Sequence, residues 1–364
     1  MATTPHSGRH GRTIVRLLAG AAAIALGGYA YGAASASSPA PTTAQRVVLT
    51  AAHDARPFSY GWPVKPFDQQ HPVRGNFGDP RSIFHGRPTL QGLMTSSCSC
   101  SYHQGIDIAA PDGTAVYPVR SGVVRIVAGE WIEVDSDGGS AFQYWHINPA
   151  VRQGQHVSEN ETVLGRIVKG AQHVHLTQLQ DAKPVNPLAA GNIGPYSDTT
   201  TPQVGAIRFR ASDTGPELLP EYLHGRVEIV ASAWDTPAMS VPGIWHGLPV
   251  TPARLTFHVE RLPQHRIVVS ETTAIDVRHA LPFTPNMWHS YARGTHMNFV
   301  QMGTHRYWFQ PGSYLFKLTA GSFDTRRLQD GAYQLTVTAS DTAGNHSSSS
   351  QIFSVHNRAS WLNG

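Results

Sequence analysis

The 364-residue sequence predicts an all-β protein. Three observations carry that reading. Glycine (34) and proline (26) punctuate the whole chain. The apolar runs are short, about four to eight residues, which suits strands better than helices. Between the turns, apolar and polar residues alternate with the two-residue period of half-buried strands. A chain of this length exceeds what one hydrophobic core supports, so two or three domains are expected.

Residues 1–36 read as a secretory signal peptide: Arg9, Arg12 and Arg16 precede an apolar run over residues 17–26, and Ala34-Ser35-Ala36 supplies a small-residue cleavage site. The alternative, an uncleaved membrane anchor over residues 17–34, is disfavoured by its Gly and Ala content, and no later segment has spanning character. The signal holds three arginines and no Lys, Asp or Glu, so its removal lowers the formal charge from +4 to +1. A nearly neutral mature chain without a Lys/Arg cluster argues against a nucleic-acid partner. Residues 37–56, rich in Ser, Pro, Ala and Thr, read as a flexible spacer.

The first folded unit is expected over residues 57–192. Tyr60-Gly61-Trp62-Pro63-Val64 and Arg74-Gly75-Asn76-Phe77-Gly78-Asp79-Pro80 are turn-rich lead-ins. The clearest strands are residues 123–127, 131–134 and 141–145, with Asp137-Gly138-Gly139 as a hairpin turn between the last two. That hairpin places His146 at a strand end. The only cysteines, Cys98 and Cys100, flank Ser99. A strained local bridge, free thiols, an intermolecular bridge and soft metal ligation beside His103 all remain open, and an oxidising compartment favours the local bridge.

Chemistry concentrates between residues 103 and 175. The chain has 20 histidines, yet His-x-x-x-Asp occurs only at His103 and Asp107, and His-x-His only at His173 and His175. Tyr144-Trp145-His146 lies between them. Two residues apart on a strand means one face, so His173 and His175 point together while Val174 and Leu176 face packing. His103 and Asp107 also share a face, and Pro111 and Gly113 shortly after them argue against a helix. Three imidazoles and a carboxylate, plus a further imidazole, suit zinc with an open position for water and a spare histidine for proton transfer.

These residues resemble the lysostaphin-type zinc endopeptidases, or LytM family. His103 and Asp107, Pro111-Asp112-Gly113-Thr114-Ala115-Val116, Ser121-Gly122-Val123-Val124, Tyr144-Trp145-His146, Gln153-Gly154-Gln155-His156-Val157 and His173-Val174-His175 reproduce the family's order. Phe77-Gly78-Asp79-Pro80-Arg81 is similar to its entry strand. The resemblance covers about residues 60–190. It implies a small antiparallel β-sheet metallopeptidase domain with a groove across the sheet, Zn2+ held by His103, Asp107 and His175, and His146 and His173 as catalytic groups. It also implies peptidoglycan peptides as substrate, and the cell wall or periplasm as location. The family's usual Phe-Glu after His-x-His is replaced by Leu176-Thr177-Gln178, and the loop before it is short. An occluding group ahead of the motif, Asn76 or the residues around His71, is an expected means of latency.

Residues 200–358 are expected to form a β-sandwich, as one domain with an insertion around residues 282–312 or as two small ones. Gly225-Arg226-Val227-Glu228-Ile229 leading to Ala233-Trp234-Asp235-Thr236 is echoed by Gly331-Ala332-Tyr333-Gln334-Leu335 leading to Ala339-Ser340-Asp341-Thr342. With Asp341-Thr342-Ala343-Gly344-Asn345 closing a strand, this part resembles bacterial immunoglobulin-like modules. It is read as a spacer or stabilising unit ahead of a wall-binding one. Asp235 and Asp341 show no dense acidic clustering in sequence. His71, His85, His246, His289, His296 and His305 lack metal spacing, and the aromatic run Tyr307-Trp308-Phe309 is read as strand packing.

The leading reading is therefore a secreted zinc endopeptidase. Its alternatives are a catalytically inactive wall-binding regulator of another hydrolase and a metal-stabilised adhesion or scaffold protein.

Overall fold

The computed structural model describes residues 59–82, 100–282, 286–301, 308–319 and 323–358, which belong to one compact unit. The signal, the spacer, Cys98, His85 and His305 lie outside them, as do the side chains of Tyr307-Trp308-Phe309. The described residues are strands and loops with four short 3-10 turns and no α-helix. None of their segments forms a helix able to cross a membrane. Cys100 is disulfide-bonded.

The first half is built on an eight-stranded sheet whose pairings are antiparallel. Its order is Val73–Gly75, Ile106–Ala109, His173–Gln180, Ser140–Trp145, Trp131–Asp135, Gly122–Ala128 and His156–Val157, with Lys183–Val185 folding back on His173–Gln180. The three expected strands appear within a residue or so of their expected ends. Gly138 and Gly139 both adopt positive φ (73° and 75°), which lets the chain reverse between Asp135 and Ala141.

Alternation decides which face does what. On the 173–180 strand Val174 and Leu176 are fully buried, joining Ile106, Ile108, Ile132, Val134, Phe142 and Tyr144 in the core. On the other face the register sets side by side Gly75, Asp107, His175, Trp145 and Trp131. That row is where the chemistry sits.

The second half contains two larger sheets. One sheet runs Glu217–Leu218, Gln203–Arg210, Arg226–Trp234 and Leu315–Lys317, with Phe323–Asp324 also on Arg226–Trp234. The other runs Arg266–Asp276, Arg254–Arg261, Gly331–Ser340 and His346–Val355. Both contain strands from before and after the stretch between Asp276 and Leu315. Their inner faces share aromatic packing, with the Phe209 and Phe353 rings 5.3 Å apart.

The two echo strands, Arg226–Trp234 and Gly331–Ser340, lie in different sheets, and each is followed at once by an aspartate. The fold brings Asp235 and Asp341 together with Asp198, with one carboxylate oxygen from each within 4.8 Å of the others. Sequence distance concealed this cluster. Burial, reinforced by the neighbouring carboxylates, pushes Asp235 up to about 8.

Two expectations follow. A Cβ on Gly105 would lie 2.2 Å from the Leu176 carbonyl oxygen and 2.9 Å from His175 Nε2. Gly105→Ala is expected to destabilise the fold by about 3 kcal/mol, and an unchanged urea midpoint would contradict this close approach. Asp235 takes up a proton on folding, because its folded pKa exceeds that of the unfolded chain, so its contribution to stability falls as pH rises from about 4 to about 8. Asp235→Asn, which keeps an oxygen to accept the Thr236 amide (2.7 Å in the parent), should raise stability in chelator-treated protein by about 1–2 kcal/mol at pH 8 and by less at pH 5. Equal gains at both pH values would refute this.

Candidate active site

Strand register brings the expected ligands together. Asp107 pairs directly opposite His175, and His103 enters from the turn just before the Ile106–Ala109 strand. His103 Nε2 lies 2.7 Å from His175 Nδ1, and Asp107 Oδ1 lies 3.2 Å and 3.1 Å from those two nitrogens. Gly75, beside Asp107, has no side chain because a Cβ there would meet Asp107 Oδ2 at 2.8 Å.

The remaining contacts of each ligand test whether this donor set suits a cation. His103 Nδ1 faces the Asn76 carbonyl oxygen at 2.8 Å, an acceptor only, so Nδ1 carries the proton and Nε2 presents its lone pair. His175 Nε2 faces the Thr177 hydroxyl at 2.8 Å, which can accept its proton and leave Nδ1 free. Two imidazole lone pairs and a carboxylate oxygen thus converge, each histidine held from behind as metal-bound histidines usually are. The residues fit a zinc ion.

The electrostatics agree. Burial, aided by the Arg81 guanidinium, pulls His103 down to about 3, so it is neutral at physiological pH and its contact with Asp107 is not an ion pair. Burial pushes the Asp107 carboxyl up, but Arg81, at 2.6 Å, and the surrounding imidazoles outweigh it and hold the group well below the usual range. Asp107 therefore stays ionised, as a ligand must.

His146 and His173 flank this cluster, their rings 4.5 Å apart. His146 follows the Ser140–Trp145 strand with φ at 64°, a left-handed conformation unusual for a non-glycine residue, which turns the chain away from the sheet. His173 Nε2 is 3.6 Å from Asp107 Oδ1. Burial is the main cause lowering the pKa of both rings, and both remain neutral.

All five expected site residues are thus gathered in one place. The expected occluding groups are not. The Asn76 side chain donates to the Thr251 carbonyl oxygen (3.1 Å), and His71 Nε2 lies 2.9 Å from the Pro66 carbonyl oxygen. Sequence reasoning also missed Thr177 and Arg74. Thr177 shares the face of His175 by two-residue alternation, a signal that was present. Arg74 reaches His173 through an irregular strand, which carries no such signal; burial pulls its pKa down to about 10. Trp145 stacks on Trp131 (4.5 Å, 8°) and stands edge-on to His175 (6.5 Å), walling the row on its other side.

Replacing His103, Asp107 or His175 by Ala is expected to abolish one equivalent of bound zinc, whereas His146→Ala and His173→Ala should retain it. Metal analysis of dialysed protein checks this division, and full zinc occupancy in the Asp107 variant would break it.

Residues 101–187 match the model of Peptidase family M23, a span holding all five residues. Among solved structures, a chain of the SpoIIQ–SpoIIIAH pore forming complex aligns at 22% identity over 36% of this chain and 90% of that one, with a TM-score of 0.28. A zinc containing peptidase from Vibrio cholerae aligns at 21% identity over 37% of this chain and 41% of its own (TM-score 0.27). Csd3 of Helicobacter pylori aligns at 21% identity over 38% and 36% (TM-score 0.27). This chain therefore spans less than half the length of those two bacterial proteins. The match is confined to the segment that carries the candidate site, and the family it names is the lysostaphin-type family that the motifs resemble.

Proposed function

We propose that this protein is a secreted zinc metalloendopeptidase that hydrolyses peptide bonds of bacterial cell-wall peptidoglycan, in stem peptide or cross-bridge, by metal-activated water. The observation that carries the reading is the convergence of three donor atoms beside two neutral imidazoles, the buried His173 and the half-buried His146. A purely structural zinc site more often closes its coordination with four ligands, commonly cysteines.

His103, Asp107 and His175 would hold the ion, which supplies Lewis-acid polarisation and a water of lowered pKa. The other roles fall to the chain's own side chains. A neutral imidazole at His146 or His173 has a lone pair to take the proton from the attacking water. The same imidazole, once protonated, returns the proton to the departing amine nitrogen, so the amide C–N bond breaks and the proton count balances. Burial keeps both rings unprotonated in the resting state and therefore ready as bases. The stacked Trp131 and Trp145 wall gives an extended peptide a flat surface to lie against.

The sandwich region, which resembles immunoglobulin-like modules, belongs in this reading to the same exported chain. The test is incubation of zinc-loaded mature protein with purified peptidoglycan, with product masses compared against His173→Ala and chelated samples. Loss of activity by at least about 100-fold in both controls is expected, and the product masses identify the bond cut. Wall left intact by the zinc-bound protein would overturn the assignment in favour of a regulator.

A further inference from the structure

Arg74 occupies a β-bulge. Val73 pairs with Ile108 and Gly75 with the adjacent Asp107, so Arg74 is the extra residue, and bulges of this kind re-aim a side chain. Its guanidinium Nη2 lies 2.7 Å from His173 Nδ1 and 3.4 Å from Nε2. The opposite partner comes from far along the chain: the Arg74 guanidinium carbon lies 4.0 Å from the ring centre of Trp245.

Trp245 ends the 3-10 turn Gly243–Trp245. That turn is rooted on both sides by the buried Val241 and Leu248, and the Leu248 amide donates to the Trp245 carbonyl oxygen (3.3 Å). A long arginine side chain that would otherwise sample many rotamers is thus held between an aromatic face and a histidine.

The contact bears on catalysis through His173 itself. His173 Nδ1 is also 2.7 Å from the Ala171 carbonyl oxygen. A guanidinium can only donate and a carbonyl can only accept, so one ring nitrogen cannot satisfy both. The placement of Arg74 therefore biases which nitrogen of His173 carries the proton, and with it which nitrogen is available as a base.

Building on the proposed peptidase activity, we infer that Arg74 is a positioning residue for His173 and that Trp245 of the C-terminal region holds it in place. The sandwich region is then part of the catalytic apparatus rather than a spacer.

The test uses the zinc-loaded full-length mature chain and its Trp245→Ala, Trp245→Phe, Arg74→Ala and Arg74→Lys variants. Trp245→Ala should lower kcat by about 10-fold with KM and bound zinc unchanged. Trp245→Phe, which keeps an aromatic face, should recover to within roughly two-fold of the parent. Arg74→Lys should fail to recover, because an ammonium lacks the planar fork that stacks and donates at once. A Trp245→Ala enzyme as fast as the parent, or a Trp245→Phe enzyme as slow as Trp245→Ala, overturns the inference.

A second readout separates this inference from the functional reading. If the parent leaves peptidoglycan intact, the peptidase assignment fails, and imidazole 15N shifts at one pH still decide the role of Arg74. Arg74→Ala and Trp245→Ala must both redistribute the His173 proton between Nδ1 and Nε2, and spectra identical to the parent's overturn it.

Discussion

The structure depends on keeping one buried carboxylate charged. Asp107 is 7% exposed, and an ionised group in such a place is costly unless it is paired and hydrogen-bonded. Arg81 supplies the compensating charge at Oδ2, which leaves Oδ1 facing His103, His173 and His175. The arrangement uses the two oxygens for different tasks: one anchors the charge, the other is offered to the site. A buried Asp–Arg pair contributes little net stability by itself but is expensive to break, so the lead-in segment carrying Arg81 and the strand carrying Asp107 are tied to each other.

That lead-in segment is in turn held by the C-terminal half. Asp79 accepts from the amides of Asn76 (3.0 Å) and Thr251 (2.8 Å), and the Tyr291 hydroxyl donates to the Gly78 carbonyl oxygen at 2.8 Å. The Gly78 amide donates to the His103 carbonyl oxygen, and the His103 amide to the Asp79 carbonyl oxygen. Asn76, whose carbonyl orients the His103 ring, therefore sits in a loop braced by residues some 170 to 215 positions further on. Burial pushes Asp79, 3% exposed, up to about 7 despite the nearby Arg81. Residues of the second half thus brace the backbone that carries His103.

The acidic cluster of Asp198, Asp235 and Asp341 shows the other side of the same packing. Each carboxylate is well served locally: Asp341 accepts from the Gly344 and Asn345 amides, Asp235 from Thr236, and Asp198 from Thr200. Local turn chemistry satisfies each group as an acceptor and does nothing about their mutual repulsion, which adds to burial, the larger cause, in raising the pKa values of Asp235 and Asp341.

The shared face of His173 and His175 was legible in the sequence because strand geometry is periodic, whereas the choice of His103, Asp107 and His175 as expected ligands came from the family resemblance. His-x-His on a strand must put both rings on one face, and the burial of Val174 and Leu176 leaves that face no freedom. The hairpin at Gly138-Gly139 and the strands around it were legible for the same reason: local sterics and alternation operate within a few residues. The role of Thr177 was readable by the same alternation. Tertiary structure decided everything that joins distant segments without a period. It assigned Asn76 and His71 to loop contacts in place of the metal position, joined Asp198 to the two echo aspartates, and brought Trp245 onto Arg74. A bulge and a loop–loop contact obey the shape of the assembled core, and no spacing along one chain encodes that shape.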